Sequence, residues 1–198
     1  MVGLYKPVVN PPAGSRENPA MATYVALLRG INLGNHNKVP MAALRDRLRD
    51  AGFDDVATYV QSGNVVLRSR KGAATVADLV RAEVAAGFGI DVPVVVRTGA
   101  QLADVLDGNP FLTPDADPGR QLHVGFLSAA PAKARAAKLD PKRAAPEEIS
   151  LRGRELYLWT PNGLGRSKVL QGVERALGVD VTVRNWRTVT ELHRMANG

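Results

Sequence analysis

The sequence predicts an α+β protein: a ferredoxin-like βαββαβ domain over residues 22–98, followed by a second small α+β domain over residues 99–198. Three observations carry this prediction. A continuous apolar run, Tyr24 to Leu28, reads as a central strand. Two stretches place apolar residues at helical spacing: Met41, Leu44 and Leu48, then Val76, Leu79, Val80 and Val84. Between them, two β-branched runs flank Ser62-Gly63, the composition of a hairpin whose turn needs positive φ.

The elements follow in order. Residues 1–21 are rich in proline and polar residues and lack the apolar stretch of a secretory signal, so a disordered leader is expected there. After the first strand, Pro40 sits where a helix would open and Gly52 where it would end. Val56 to Gln61 and Asn64 to Arg68 form the hairpin strands. Thr75 is placed to cap the second helix, which Gly87 closes, and Pro93 to Arg97 supplies an edge strand.

In the second half the pattern predicts a helix over 101–106, a Pro/Asp/Gly loop over 109–120 and a strand over 122–127. A basic alanine-rich helix near 132–138 and a hairpin at Arg152-Gly153 come next. The remainder reads as a helix from Ser167 to Leu177, a short strand over 181–183 and a last helix capped by Asn185. No internal repeat stands out.

Composition narrows the function classes. Lys+Arg 26 against Asp+Glu 19 gives a net charge of +7, which favours an anionic partner: a phosphorylated small molecule, a nucleotide or a nucleic acid. The absence of cysteine excludes disulfides, thiolate nucleophiles and cysteine-based zinc sites. His36, His123 and His193 have no helical partner at ligand spacing, so no metal is expected, and no motif calls for a cofactor. No stretch of about 20 apolar residues occurs, so no membrane span is expected and the compartment expected is the cytoplasm.

A right-handed crossover makes the first two strands of a βαββαβ sheet parallel, and the hairpin returns the third antiparallel. The loop after strand one and the Gln61-Ser62-Gly63-Asn64 turn should therefore share one edge of the sheet. That edge gathers Arg29, Asn32, Lys38, Gln61, Ser62 and Asn64, all donors and none a carboxylate. The set suits an anion; equally, it suits capping of backbone groups within the two loops. Two further segments carry donors: Gly163-Leu164-Gly165-Arg166-Ser167-Lys168, with Ser167 as an N-cap beside Lys168, and Arg184-Asn185-Trp186-Arg187. Neither the first loop nor the second matches the Walker A order. The sheet lacks the paired aromatics that RNA recognition motifs stack on bases.

Taken together, Y-V-A-L-L-R-G-I-N-L-G, N-K-V-P-M, T-Y-V-Q-S-G-N-V-V, G-R-S-K and R-N-W-R-T-V resemble a bacterial family known as domain of unknown function 1697. The resemblance runs in order from about Thr23 to the C-terminus. It implies a two-part α+β protein with a ferredoxin-like first half and no established activity. It also implies signature polar positions at Arg29, Asn32, Lys38, Gln61, Ser62, Asn64, Ser167, Lys168, Arg184, Asn185 and Thr188.

The expected function is binding of an anionic or phosphorylated ligand through loops of the first domain. Two alternatives stand beside it: an enzyme acting on a phosphorylated small molecule, with His36 or Lys38 moving a proton or stabilising charge, and a nucleic-acid binder using a basic surface.

Overall fold

The computed structural model describes residues 20–113, 116–139, 146–167, 169–170 and 172–198. The expected leader lies almost wholly outside these residues, as does Lys168.

The first strand, β1 (Ala22–Leu28), explains the architecture by its alternation. Tyr24, Ala26 and Leu28 face one cluster, with Leu44 and Leu48 of α1 (Met41–Asp50) and Val76, Val80 and Val84 of α2 (Ala73–Phe88). Val25 and Leu27 face the other way, into a cluster shared with the second half of the chain. A strand covered on both faces reads as one unbroken apolar run, as this one does. With β2 (Asp54–Tyr59), β3 (Asn64–Ser69) and β4 (Val94–Thr98) it forms a four-stranded sheet in the order β2-β3-β1-β4, every neighbour antiparallel.

The second half contributes α3 (Gly99–Asp107), β5 (Leu122–Leu127), α4 (Lys133–Ala136), β6 (Glu148–Arg152), β7 (Glu155–Trp159), α5 (Val173–Leu177), β8 (Val181–Asn185) and α6 (Trp186–Asn197). Its strands form a second antiparallel sheet, β6-β7-β5-β8. The chain is thus a mixed α+β protein with two four-stranded antiparallel sheets and, among the described residues, six α-helices. The shared cluster joins Val25, Leu27, Val66 and Val95 of the first sheet to Leu122, Val124, Phe126 and Tyr157 of the second. Leu102 and Val105 of α3 and Trp186, Val189 and Leu192 of α6 complete it.

The two sheets repeat one another residue by residue. Val25 lies opposite Arg97 as Val124 lies opposite Arg184, and Leu27 lies opposite Asn64 as Phe126 lies opposite Glu155. The sequence hides this repeat because only part of it is identity: Val25 and Arg97 recur as Val124 and Arg184, but Leu27 and Asn64 recur as Phe126 and Glu155.

Three local expectations need correction. The second helix runs through Gly87 to Phe88 and is ended by Gly89, whose left-handed backbone at φ +68° stops it. The second helix is capped at Gly72, not Thr75, because Ala73 and Ala74 continue the helix toward an extended glycine. The helix expected over 167–177 is only Val173–Leu177. Gly172 has φ +83°, a left-handed backbone that cannot lie inside a helix, and Leu164–Arg166 forms a separate 3-10 turn. Ser167 therefore caps no α-helix: its hydroxyl donates to Glu147 and accepts from the Val169 amide.

Candidate functional site at the two-loop edge

The loop after β1 and the β2–β3 turn do meet. The Leu28 amide donates to the Gly63 carbonyl at 2.8 Å, and the Asn32 side-chain amide donates to the Gln61 carbonyl at 2.7 Å. Asn32 does more than join the loops. Its amide also donates to the Val39 carbonyl at 2.9 Å, and its oxygen accepts from the Val39 amide at 2.8 Å, which closes the loop immediately before α1. The Asn32 backbone amide reaches Asn37 O, and the Asn37 side chain reaches Gly30 O.

This stitching holds unusual backbone. Four non-glycine residues among those described have positive φ, and three of them, Asn32 (+54°), Asn37 (+50°) and Val60 (+49°), belong to these two loops. Asparagine tolerates the left-handed region; a β-branched valine does not, and the conformation costs on the order of 1–3 kcal/mol. Gly63, at φ +78°, has a second requirement. A Cβ there would stand 2.9 Å from Ile31 and Leu28 side-chain atoms, so only glycine fits.

Beneath the turn lies Arg184 of β8, 8% exposed. Its Nη2 donates to Leu28 O (2.7 Å) and Ser62 O (2.9 Å), and its Nε donates to Asn64 Oδ1. Nη1 is taken by Thr182 Oγ1 and Val183 O. Burial without a carboxylate partner pushes its pKa down to about 10. Asn64, fully buried, gives its own amide to Tyr59 O and Ser62 Oγ, both at 3.0 Å.

The candidate residues thus separate into two layers. Asn32, Asn64 and Arg184 spend their donors inside the protein and hold the edge in place. Lys38, Gln61 and Ser62 are exposed on its outer side, with His36 nearby on the loop. Arg29 is intermediate: it pairs with Glu174 of α5 at 2.5 Å, leaving 40% of its side chain exposed. Asn185 accepts from the Thr188 amide as the N-cap of α6, and no hydrogen bond among the described residues ties Ser167 to the edge.

Sequence reasoning missed Arg97 and Glu155, the counterparts of Arg184 and Asn64. Arg97, 1% exposed, donates through Nε to Glu155 Oε1 (2.9 Å) and through Nη2 to Leu127 O (2.8 Å) and Arg154 O (3.2 Å). The available signal was V-V-V-R-T beside V-T-V-R-N: a strand, an arginine, then an N-cap residue, Thr98 or Asn185.

The family described as "Protein of unknown function (DUF1697)" has a model that matches residues 21–157. The chain belongs to this family. The residues matched by the domain-of-unknown-function 1697 model take in the two-loop edge, the whole first sheet, β5, β6 and the start of β7, with Arg97 and Glu155 among them. A similar solved structure is that of conserved bacterial protein SP0830 from Streptococcus pneumoniae, 21% identical, with a TM-score of 0.66. That match covers 90% of this chain and 100% of the other, and it speaks for the fold alone. No curated protein matches the chain. No helix among the described residues is long and apolar enough to cross a membrane.

Proposed function

We propose that this family member binds an anionic or phosphorylated small molecule at the two-loop edge, in the cytoplasm. Lys38, Gln61 and Ser62 make first contact, and Arg29 is recruited from Glu174. One observation carries the reading: strained left-handed residues concentrate in these two loops, where Asn32 and Arg184 over-determine the backbone. A polar turn needing only to reverse the chain has no use for such pinning. A surface that must present donors in fixed positions does. The exposed side chains supply positive charge and hydroxyl or amide donors, and none of Lys38, Gln61 and Ser62 is a carboxylate.

Each half of the chain is further proposed to be a ferredoxin-like βαββαβ unit, residues 22–98 and 99–198 being two domains that share the central cluster. The strand orders and the matching registers support this.

A thermal-shift series against inorganic phosphate, pyrophosphate, nucleotides, phosphosugars and oligonucleotides tests the reading. A ligand at about 100 times its Kd is expected to stabilise the protein by roughly 2.7 kcal/mol. The gain should vanish in Lys38→Ala/Gln61→Ala. Stabilisation by oligonucleotides alone, falling steeply with salt, would transfer the edge to nucleic-acid binding; no shift from any compound would remove the proposal.

A further inference from the structure

The repeat gives the second half its own hairpin, β6–β7, and α3 lies beside it. Between them opens a cleft of about 410 Å³. Gln101, Asp104, Val105 and Gly108 line one wall, at the i, i+3, i+4, i+7 spacing of one α3 face. Arg152 and Arg154 line the other, and Tyr157 forms part of the lining.

Most of these groups are already fixed. Arg152 donates to Gly108 O at 2.7 Å and stands over the Tyr157 ring, 5.9 Å from its centre. The Tyr157 hydroxyl donates to Val105 O, leaving its oxygen able to accept. Glu155 is held by Arg97 and by the Arg154 amide. Gln101 Oε1 accepts from the Thr98 amide in a capping box, which leaves its NH₂ free to donate. Two charged groups remain: the Arg154 guanidinium and the Asp104 carboxylate form no side-chain hydrogen bond or ion pair with any described residue.

We infer that this cleft is a second binding site, for a small zwitterion of the amino-acid class. Arg154, aided by the Gln101 amide, takes the ligand's carboxylate; Asp104 takes its ammonium. The volume lies within the range of small-molecule sites. Opposite charges on opposite walls that do not close on each other select a ligand bearing both, over one bearing either. Arg152 contributes a rigid cationic rim rather than a moving contact, because its guanidinium is already pinned between Gly108 and Tyr157.

Saturation-transfer NMR on the full chain with the twenty free amino acids, each at about 10 mM, tests this, since that range detects millimolar affinity. Saturable binding of at least one amino acid is expected, with acetate and methylammonium silent. Arg154→Gln, at a half-buried position, and Asp104→Asn, at an exposed one, should each weaken it at least tenfold. Lys38→Ala, at the other edge, should leave it unchanged. Absence of any binding overturns the inference. So does binding that survives both cleft substitutions, or that Lys38→Ala abolishes.

Discussion

Arg184 and Arg97 occupy the same place in two copies of one arrangement, and they solve it with different chemistry. Each sits on the last strand of its sheet and reaches into the other half. There each takes the carbonyl that ends the central strand, Leu28 or Leu127, and a carbonyl of the adjoining hairpin, Ser62 or Arg154. Each points its Nε at the first residue of the third strand of that half. In one half that residue is the neutral Asn64; in the other it is the carboxylate Glu155. Burial lowers the pKa of both arginines, but Glu155 opposes the effect at Arg97, whereas nothing charged opposes it at Arg184. The comparison teaches that the carbonyls, not an ion pair, are the common purpose, and that the hairpin each arginine holds is what the fold positions.

Arg184→Met breaks the comparison most severely. It removes the donor for Leu28 O, Ser62 O and Asn64 Oδ1 in a dry interior, where each orphaned group costs about 1–3 kcal/mol. A loss of about 3–5 kcal/mol is expected in urea unfolding. Arg97→Met should cost less, about 2–3 kcal/mol, because Glu155 is 19% exposed, keeps the Arg154 amide and can reach water.

Exchanging the acceptors sharpens the contrast. Glu155→Gln keeps an oxygen for Arg97 but removes its counter-charge and sets a donor against the Arg154 amide, so a loss of about 2–4 kcal/mol is expected. Asn64→Asp supplies Arg184 with a counter-charge yet deprives Tyr59 O and Ser62 Oγ of their donor, so a net loss of roughly 1–3 kcal/mol is expected. Equal effects of the two exchanges, read from denaturation midpoints, would mean that the halves do not differ as described. Gly63→Ala, which meets Ile31 and Leu28 at 2.9 Å and needs φ +78°, should cost about 2 kcal/mol; the glycine in the turn of the other hairpin, Gly153 (φ +59°), has only Glu155 Oε2 nearby, at 3.9 Å, and Gly153→Ala should cost about half that.

The smallest effect concerns pH. Tyr24 and Thr98 pair across the first sheet where His123 and Asn185 pair across the second. Burial lowers the His123 pKa below 6.5. The folded state keeps this ring neutral while the unfolded chain protonates it, so the unfolded state binds more protons below pH 6.5. His123's contribution is complete above pH 6.5 and is lost as pH falls toward and through its folded pKa. Thermal melts of His123→Gln should show a shallower decline on acidification from pH 6.5 than the parent protein.

Much of the first half was legible. The run at β1, the helical stripe of α1 and the Ser62-Gly63 turn are local signals, and topology alone brought Arg29–Val39 beside Gln61–Asn64. The outward or inward direction of each side chain was not legible. Asn32, Asn64 and Lys38 all read as donors, and only the register decides that two of them face carbonyls while the third faces water. Arg184 misled for the same reason: an arginine before a helix cap suggests a basic surface, and its burial depends on Leu28 and Ser62, more than a hundred residues away. The repeat was hidden because its conserved content is a hydrogen-bond pattern, which Asn64 and Glu155 satisfy with different residues.

The binding role of the two-loop edge is tested most directly by titrating the ¹⁵N-labelled protein with inorganic pyrophosphate. Saturable amide shifts confined to Gly30–Lys38 and Val60–Asn64, and lost in Lys38→Ala/Gln61→Ala, are the expected result. Amides in these two loops that do not move while others do, or no saturable shift anywhere, would contradict it.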